Sequence, residues 1–200
     1  MILKKRFILI SILFFSLIKV NYSNSIEPDV FVQSTVNRAS KLLSENITKY
    51  EKIEKLKQIA KDTVDIQGIG LYTLGKARKK LNDKEKIIYS DRFEKYFLKS
   101  FSSRLAEYTN PEIDVFAKEV LNKNYTIVYS TLKATSERPE IKIDWRIYTK
   151  DPDNPLIRDL IIEGLSLART QKEEFASVLN TNDGDIKSLF KVLEEFSDNE

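Results

Sequence analysis

Apolar and polar residues alternate along residues 140–148 of the chain. The apolar positions are Ile141, Ile143, Trp145 and Ile147, and the residues between them are polar or charged. A period of two places one set of side chains on one face of a β-strand and the other set in solvent. We predict that this strand opens a hairpin whose second strand runs to Gly164 and leads into a helix. The rest of the chain is then expected to cover the apolar face of this hairpin.

The same pattern predicts four antiparallel strands in the second half of the chain. Turn sequences rich in Asn, Asp and Pro separate the apolar runs. The predicted strands cover residues 113–121, 125–134, 141–150 and 156–164.

Apolar residues spaced three or four positions apart predict helices before and after these strands in the sequence. Asn82 and Glu85 have the spacing of a capping box at the start of a long helix with many aromatic residues, and Pro111 ends the helical half. Gly75 is expected to cap the short third helix. The predicted helices cover residues 29–49, 51–64, a short segment ending near 75, 83–108, 167–179 and 185–196. The fold class is therefore α+β: a curved, four-stranded antiparallel sheet covered by N-terminal helices and by two C-terminal helices.

The first 25 residues have the composition of an export signal. Lys4, Lys5 and Arg6 precede an apolar run that is short for a membrane span, and small residues follow at Ser23 and Ser25. We predict that residues 1–25 are a cleaved signal peptide and that residues 26–200 form a single domain outside the cytoplasm. A retained anchor is the alternative.

The charge of the chain changes when the signal is set aside. Four of the 33 basic residues and none of the 30 acidic residues lie in the signal, so residues 26–200 carry a net charge of −1. The remaining basic residues are mixed with acidic ones. This distribution does not suggest a nucleic-acid-binding protein.

The chain contains neither histidine nor cysteine. The commonest general base, the thiolate nucleophile and nearly all zinc sites are therefore excluded. Asp144 and Asp159 lie on adjacent predicted strands and are the remaining candidate acid/base pair, but ion pairs with Arg146 and Arg158 are the better interpretation. We therefore predict that the protein is not an enzyme and needs neither metal nor cofactor.

Several short motifs resemble those of one exported family. They are Asp159, the run Glu163-Gly164-Leu165-Ser166-Leu167, and Phe175, preceded by Asp65, the pair Leu74-Gly75, and the spacing of Phe93, Phe97 and Tyr108. In this order they resemble the MlaC, or toluene-tolerance, family of phospholipid-binding proteins. The chain departs from the family pattern at Leu156 and near Ala77 and Arg78, where tryptophans are usual, and in the run from Ala168 to Gln171.

The resemblance implies a periplasmic carrier that moves glycerophospholipids between the outer and inner membranes and so maintains outer-membrane lipid asymmetry. The acyl chains are expected to occupy an apolar cavity between sheet and helices. The implied partners are the phospholipid, an outer-membrane complex of a lipoprotein with a porin, and an inner-membrane ABC transporter with a mammalian-cell-entry domain.

The residues expected to act fall into three groups. The resemblance implies a set of residues that line the acyl-chain cavity, and strand parity and the aromatic helix stripe select its members: Phe97, Phe101, Val115, Ile127, Ile143, Trp145, Ile147, Leu160, Ile162 and Leu167. Arg169 and Lys172 are candidates for contact with the head group or a partner. Asp159, Gly164 and Ser166 are expected to be structural, with Gly164 permitting the tight turn and Ser166 capping the following helix.

Each lipid-binding candidate is also compatible with ordinary core packing. Two further functions therefore stay open at this point. The first is an exported adaptor with a filled core and no lipid, and the second is a hydrolase that uses Asp144 and Asp159.

Overall fold

The computed structural model describes residues 25–198. Its helices and strands follow in the order predicted, with helices first, then the sheet, then two helices. All but the last residue of the predicted signal peptide lies outside the described residues. The helices are α1 (Pro28–Ser44), α2 (Lys49–Thr63), α3 (Ile66–Thr73), α4 (Asp83–Leu105), α5 (Leu167–Thr181) and α6 (Ile186–Asp198).

Helix α1 ends five residues earlier than predicted, at Ser44. A capping box at Thr48 starts the next helix: its side chain accepts from the backbone N–H of Glu51, and the Glu51 carboxylate accepts from the backbone N–H of Thr48 at 2.9 Å. Leu43 and Ile47 continue the apolar spacing across this break, which is why the periodicity extended the first helix.

The capping box predicted for α4 is confirmed. The Asn82 side chain accepts from the backbone N–H of Glu85 at 3.0 Å, and the Glu85 carboxylate accepts from the Asn82 N–H at 2.9 Å. These bonds satisfy two of the backbone donors that the first turn leaves free. Gly75 follows α3 with φ +55°, the left-handed conformation expected of a residue after a helix.

The sheet has five strands, one more than predicted. The strands are β1 (Ile113–Asn122), β2 (Tyr125–Leu132), β3 (Ile141–Tyr148), β4 (Leu156–Ile162) and β5 (Leu165–Ser166), paired antiparallel in that order. The two-residue β5 arises because Glu163 and Gly164 have φ values of +49° and +81° and turn the chain back on β4. The α+β class is confirmed.

Strand pairing defines the two faces of the sheet. Trp145 lies opposite Val128 and Leu160, whereas Arg146 lies opposite Ile127 and Asp159. Val128 and Trp145 belong to the main hydrophobic cluster, to which α1, α3, α4, α5 and α6 all contribute. The Trp145 face is therefore the one that packs against the helices.

Strand β1 forms one edge of the sheet and is irregular. Its pairing with β2 shifts register between Val115 and Ala117 and again between Val120 and Asn122. Lys118 on this strand forms ion pairs with Glu27 and with Asp29 at the start of α1. At the opposite edge β5 pairs only with Ile161 and Ile162, and Val64 forms an isolated parallel bridge to Ile157.

Candidate functional site

Six of the ten predicted lipid-binding residues are neither buried nor fully exposed. Five of them pack against the main hydrophobic cluster while keeping part of their surface in solvent, and the sixth, Ile162, lies directly opposite Ile143 on the neighbouring strand. The five are Phe97, Phe101, Val115, Ile143 and Leu160. The structure therefore gives the helix α4 and three of the strands a half-buried apolar surface.

Aromatic rings connect this surface to the centre of the protein along α4. Tyr89 stacks on Phe93 at 5.7 Å between ring centroids, Phe93 contacts Phe97 at 6.2 Å, and Phe97 stacks on Phe101 at 5.6 Å. Tyr89 and Phe93 are buried, whereas the last two rings reach solvent. The stripe predicted from sequence thus runs from the core to the protein surface.

Trp145 and Ile147 lie deeper than these residues and are buried in the main cluster. The indole N–H of Trp145 donates to Ser130 Oγ at 2.8 Å, and the Ser130 hydroxyl donates to the carbonyl of Ile143 at 2.9 Å. These bonds satisfy the one polar group of the buried indole and fix the orientation of its ring. In this structure the two residues fill the core.

Two predicted lipid-binding residues do not lie with the others. Ile127 pairs with Arg146 and so points to the face of the sheet away from Trp145, which corrects the parity assigned to it from sequence. Leu167 begins α5, is 40% exposed, and belongs to neither hydrophobic cluster.

Asp159 joins the last long strand to α5. Its carboxylate accepts hydrogen bonds from the Ser166 hydroxyl at 2.5 Å and from the backbone N–H of Ala168 at 3.0 Å, and it is 3% exposed. The Ser166 Oγ in turn accepts from the backbone N–H of Arg169 at 3.1 Å, so Ser166 is the N-cap that the sequence indicates. A buried carboxylate at a helix N-terminus is favourable because free N–H groups meet it there.

The arginines pair differently from the expectation. Arg146 lies 3.5 Å from Asp159, but Arg158 pairs with Asp65 at 2.5 Å. Arg158 also donates to the Tyr125 hydroxyl at 3.0 Å and lies over the ring of Tyr148. Asp65 is the N-cap of α3, so this network attaches α3 to the sheet.

These contacts give Asp159 a structural role in place of one half of a carboxylate pair. Both of its oxygens accept hydrogen bonds at the start of α5, and Arg146 pairs with the same carboxylate. Burial raises the pKa of Asp144, with Lys142 opposing and Glu163 adding to the shift. Among residues 25–198 there is also no group of carboxylates placed to hold a metal ion.

A pocket of about 360 Å³ opens beside these arginines. It is lined by Gly68, Ile69, Tyr72, Leu121, Asn122, Tyr125, Arg146, Arg158, Asp159 and Ala168. A group the size of a water molecule takes about 30 Å³, so the pocket holds about a dozen methylene-sized groups. That is too little for two acyl chains, and three of its ten lining residues are charged.

The two basic candidates on α5 differ in their surroundings. Arg169 is exposed, whereas Lys172 places its ammonium 4.9 Å from the ring centroid of Tyr72 on α3. Sequence reasoning missed both Tyr72 and the Ser130 that holds Trp145. Neither had a local signal, because each acts through a partner distant in sequence. Within residues 25–198 no helix has the length and apolarity needed to cross a bilayer.

Comparison with known proteins identifies a family and similar solved structures. A profile of the family described as MlaC protein matches residues 33–195. The fold is similar to the solved structure of the phospholipid-binding protein from Ralstonia solanacearum in complex with a phospholipid, with a TM-score of 0.73 and 18% sequence identity over 86% of this chain and 97% of that chain. No curated protein matches the chain.

Proposed function

We propose a function that proceeds from one premise: this chain belongs to the MlaC family, whose members are non-catalytic lipid-binding carriers. The chain binds a glycerophospholipid, shields its acyl chains from water and carries it between the outer and inner membranes. Residues 26–200 act as the single lipid-binding domain after removal of residues 1–25, and the protein works in the periplasm.

One observation carries this proposal: the half-buried apolar surface formed by α4 and the sheet. Each methylene group that leaves water contributes about 0.8 kcal/mol. Large apolar side chains such as Phe97 and Phe101 that already lie between core and solvent offer acyl chains a place to enter. The aromatic series behind them leads toward the interior.

Loading requires the sheet and the helices to separate. Trp145 and Ile147 fill the core in this structure, so two acyl chains enter only if these residues and their neighbours move apart. A ligand stabilises such an open form by its higher affinity for it. The hydrogen bonds of Asp159 to Ala168 and of Arg158 to Asp65 join α5 and α3 to β4 and hold these two helices in place while the apolar side opens.

The partners follow from the same proposal. An outer-membrane complex of lipoprotein and porin supplies or receives the lipid, and an inner-membrane ABC transporter with a mammalian-cell-entry domain does so at the other membrane. Arg169 and Lys172 are the candidates for contact with a head group or with these proteins.

The test uses two adjacent residues of β4 with isomeric side chains. Leu160 faces the helices and Ile161 faces away from them, and both are partly exposed. We expect Leu160→Trp to block phospholipid uptake, because the larger side chain fills the entry, while Ile161→Trp binds lipid as the parent does. Ile143→Trp is expected to behave like Leu160→Trp.

Bound lipid is measured by native mass spectrometry and by extraction of the purified protein, with circular dichroism as the control for folding. Equal lipid content in Leu160→Trp and Ile161→Trp removes this surface from the site. A parent protein that stays empty after incubation with liposomes contradicts the carrier and supports the adaptor with a filled core.

A further inference from the structure

Four basic residues follow α3 within five positions. Lys76, Arg78, Lys79 and Lys80 are all exposed, and the sequence contains no acidic residue between Asp65 and Asp83. Among residues 25–198 none of the four forms an ion pair. Their charges therefore add at one place on the surface, although residues 26–200 are nearly neutral.

Helix α5 brings a fifth basic residue to the same place. The Cε of Lys172 lies 3.2 Å from the position that a Cβ on Gly75 would occupy, directly before the basic run. Arg169 lies one helical turn before Lys172 and is exposed. We call the six residues together the basic corner: Lys76, Arg78, Lys79, Lys80, Arg169 and Lys172.

Exposed apolar side chains border the basic corner. Leu71 is 46% exposed and Tyr72 is 39% exposed, and both lie at the end of α3 just before the basic run. Lys172 rests over the Tyr72 ring, so the aromatic and cationic groups are in direct contact. An exposed leucine and tyrosine beside unpaired lysines match a surface that is negatively charged outside and apolar beneath.

We propose that the basic corner docks the protein onto an anionic phospholipid surface. Tyrosine is enriched at the level of lipid head groups, and a lysine or arginine near an anionic bilayer contributes about 1 kcal/mol without a fixed geometry. Lysine outnumbers arginine in the corner, whereas protein interfaces are depleted of lysine and enriched in arginine. The composition therefore favours a lipid surface over an acidic protein.

The use of this docking rests on the proposed function, because a carrier must approach a leaflet to exchange lipid. The docking itself does not depend on it. Attraction of an exposed cluster to a charged surface is screened by salt, so binding is expected to weaken as ionic strength rises.

The experiment measures sedimentation of the purified protein with vesicles. One vesicle preparation is phosphatidylcholine alone, and the other also contains phosphatidylglycerol. We expect binding to the second only. Lys79→Glu/Lys80→Glu should lower the partition coefficient by at least about 30-fold, because loss of two contributions of about 1 kcal/mol gives that factor and the two new carboxylates add repulsion. Tyr72→Ser should weaken vesicle binding even at high salt, because salt screens the charges but does not remove the apolar contact of the Tyr72 ring.

The matched control is Lys41→Glu/Lys187→Glu, which makes the same change of charge at two exposed lysines outside the corner. The partition coefficient of this variant is expected to lie within about twofold of that of the parent, because salt screens charges that are distant from the docking surface. If both double variants lose vesicle binding to the same extent, the basic corner is not the docking site. Absence of parent binding to anionic vesicles overturns the proposal, and retention on a polyglutamate resin in that case identifies an acidic protein as the partner.

The lipid content of each variant separates this inference from the carrier function. Lys79→Glu/Lys80→Glu is expected to retain as much bound phospholipid after purification as the parent. A parent protein that carries lipid but ignores anionic vesicles refutes only the docking surface. A parent that docks on vesicles but never contains lipid refutes only the carrier.

Discussion

Replacement of Asp159 by asparagine tests whether one buried carboxylate holds the junction between β4 and α5. The carboxylate accepts from Ser166 and Ala168 and is 3% exposed. Hydrogen bonds to a charged group are worth about 1.5–3 kcal/mol each. The single carbonyl oxygen of asparagine keeps one of the two bonds at neutral strength and loses the other. Arg146 adds little, because it is 37% exposed and its ion pair is screened by solvent.

The expected cost of Asp159→Asn is therefore about 2–4 kcal/mol in the free energy of unfolding. In a domain of this size that lowers Tm by about 4–16 °C. Ser166→Ala is expected to cost about 1–2 kcal/mol, because it removes both the N-cap and the bond to Asp159. Since the two side chains share one bond, their double variant should lose less than the sum, by about 1 kcal/mol.

Urea and thermal unfolding followed by circular dichroism measure these values. Asp153→Asn is the matched control, because its side chain lies exposed in the β3–β4 turn, and it is expected to change stability by no more than about 0.5 kcal/mol. If Asp159→Asn unfolds like Asp153→Asn, or if the two variants at Asp159 and Ser166 are additive, the junction is not held as we describe.

Two further predictions concern glycines and a buried tyrosine. Gly70→Ala should lower the free energy of unfolding by about 1–3 kcal/mol in chemical denaturation, because its Cβ would lie 2.8 Å from a ring carbon of Phe93. The control is Gly164→Ala, whose Cβ would meet no atom within 4 Å and which should cost only about 1 kcal/mol for its φ of +81°. Equal costs for the two variants would contradict the close contact. Burial raises the pKa of Tyr89, whose hydroxyl bonds to Thr73 and Gly70. The folded state therefore keeps its proton where the unfolded chain loses it, so stability should fall as pH rises above about 10. Tyr89→Phe, which costs about 1–2 kcal/mol at neutral pH, should weaken this pH dependence in urea unfolding, and an unchanged dependence would assign it to other groups.

Local signals in the sequence were sufficient for most of the fold. The capping box at Asn82, the period of two in β3 and the left-handed glycines depend on residues close in sequence, and each predicted its element. The family motifs around Asp159 and Ser166 likewise indicated a structural junction, which the hydrogen bonds explain.

What the sequence did not predict depends on pairing between distant segments. Ile127 and Val128 are both apolar and both buried, so alternation alone does not tell which of them faces the helices. The register shift between β3 and β4 places Arg158 toward Asp65, a partner 93 positions away, and no local pattern reveals a bulge. Whether apolar surfaces meet or stand apart also depends on the packing of whole layers.

The irregular edges of the sheet affect the tendency of the protein to aggregate. Register shifts twist β1, ion pairs hold Lys118 against α1, and β5 presents only two residues before the chain turns into a helix. Bulges and charged side chains at an edge strand disfavour pairing with another chain. We therefore expect these features to oppose cross-β aggregation of a protein that keeps large apolar side chains partly in solvent.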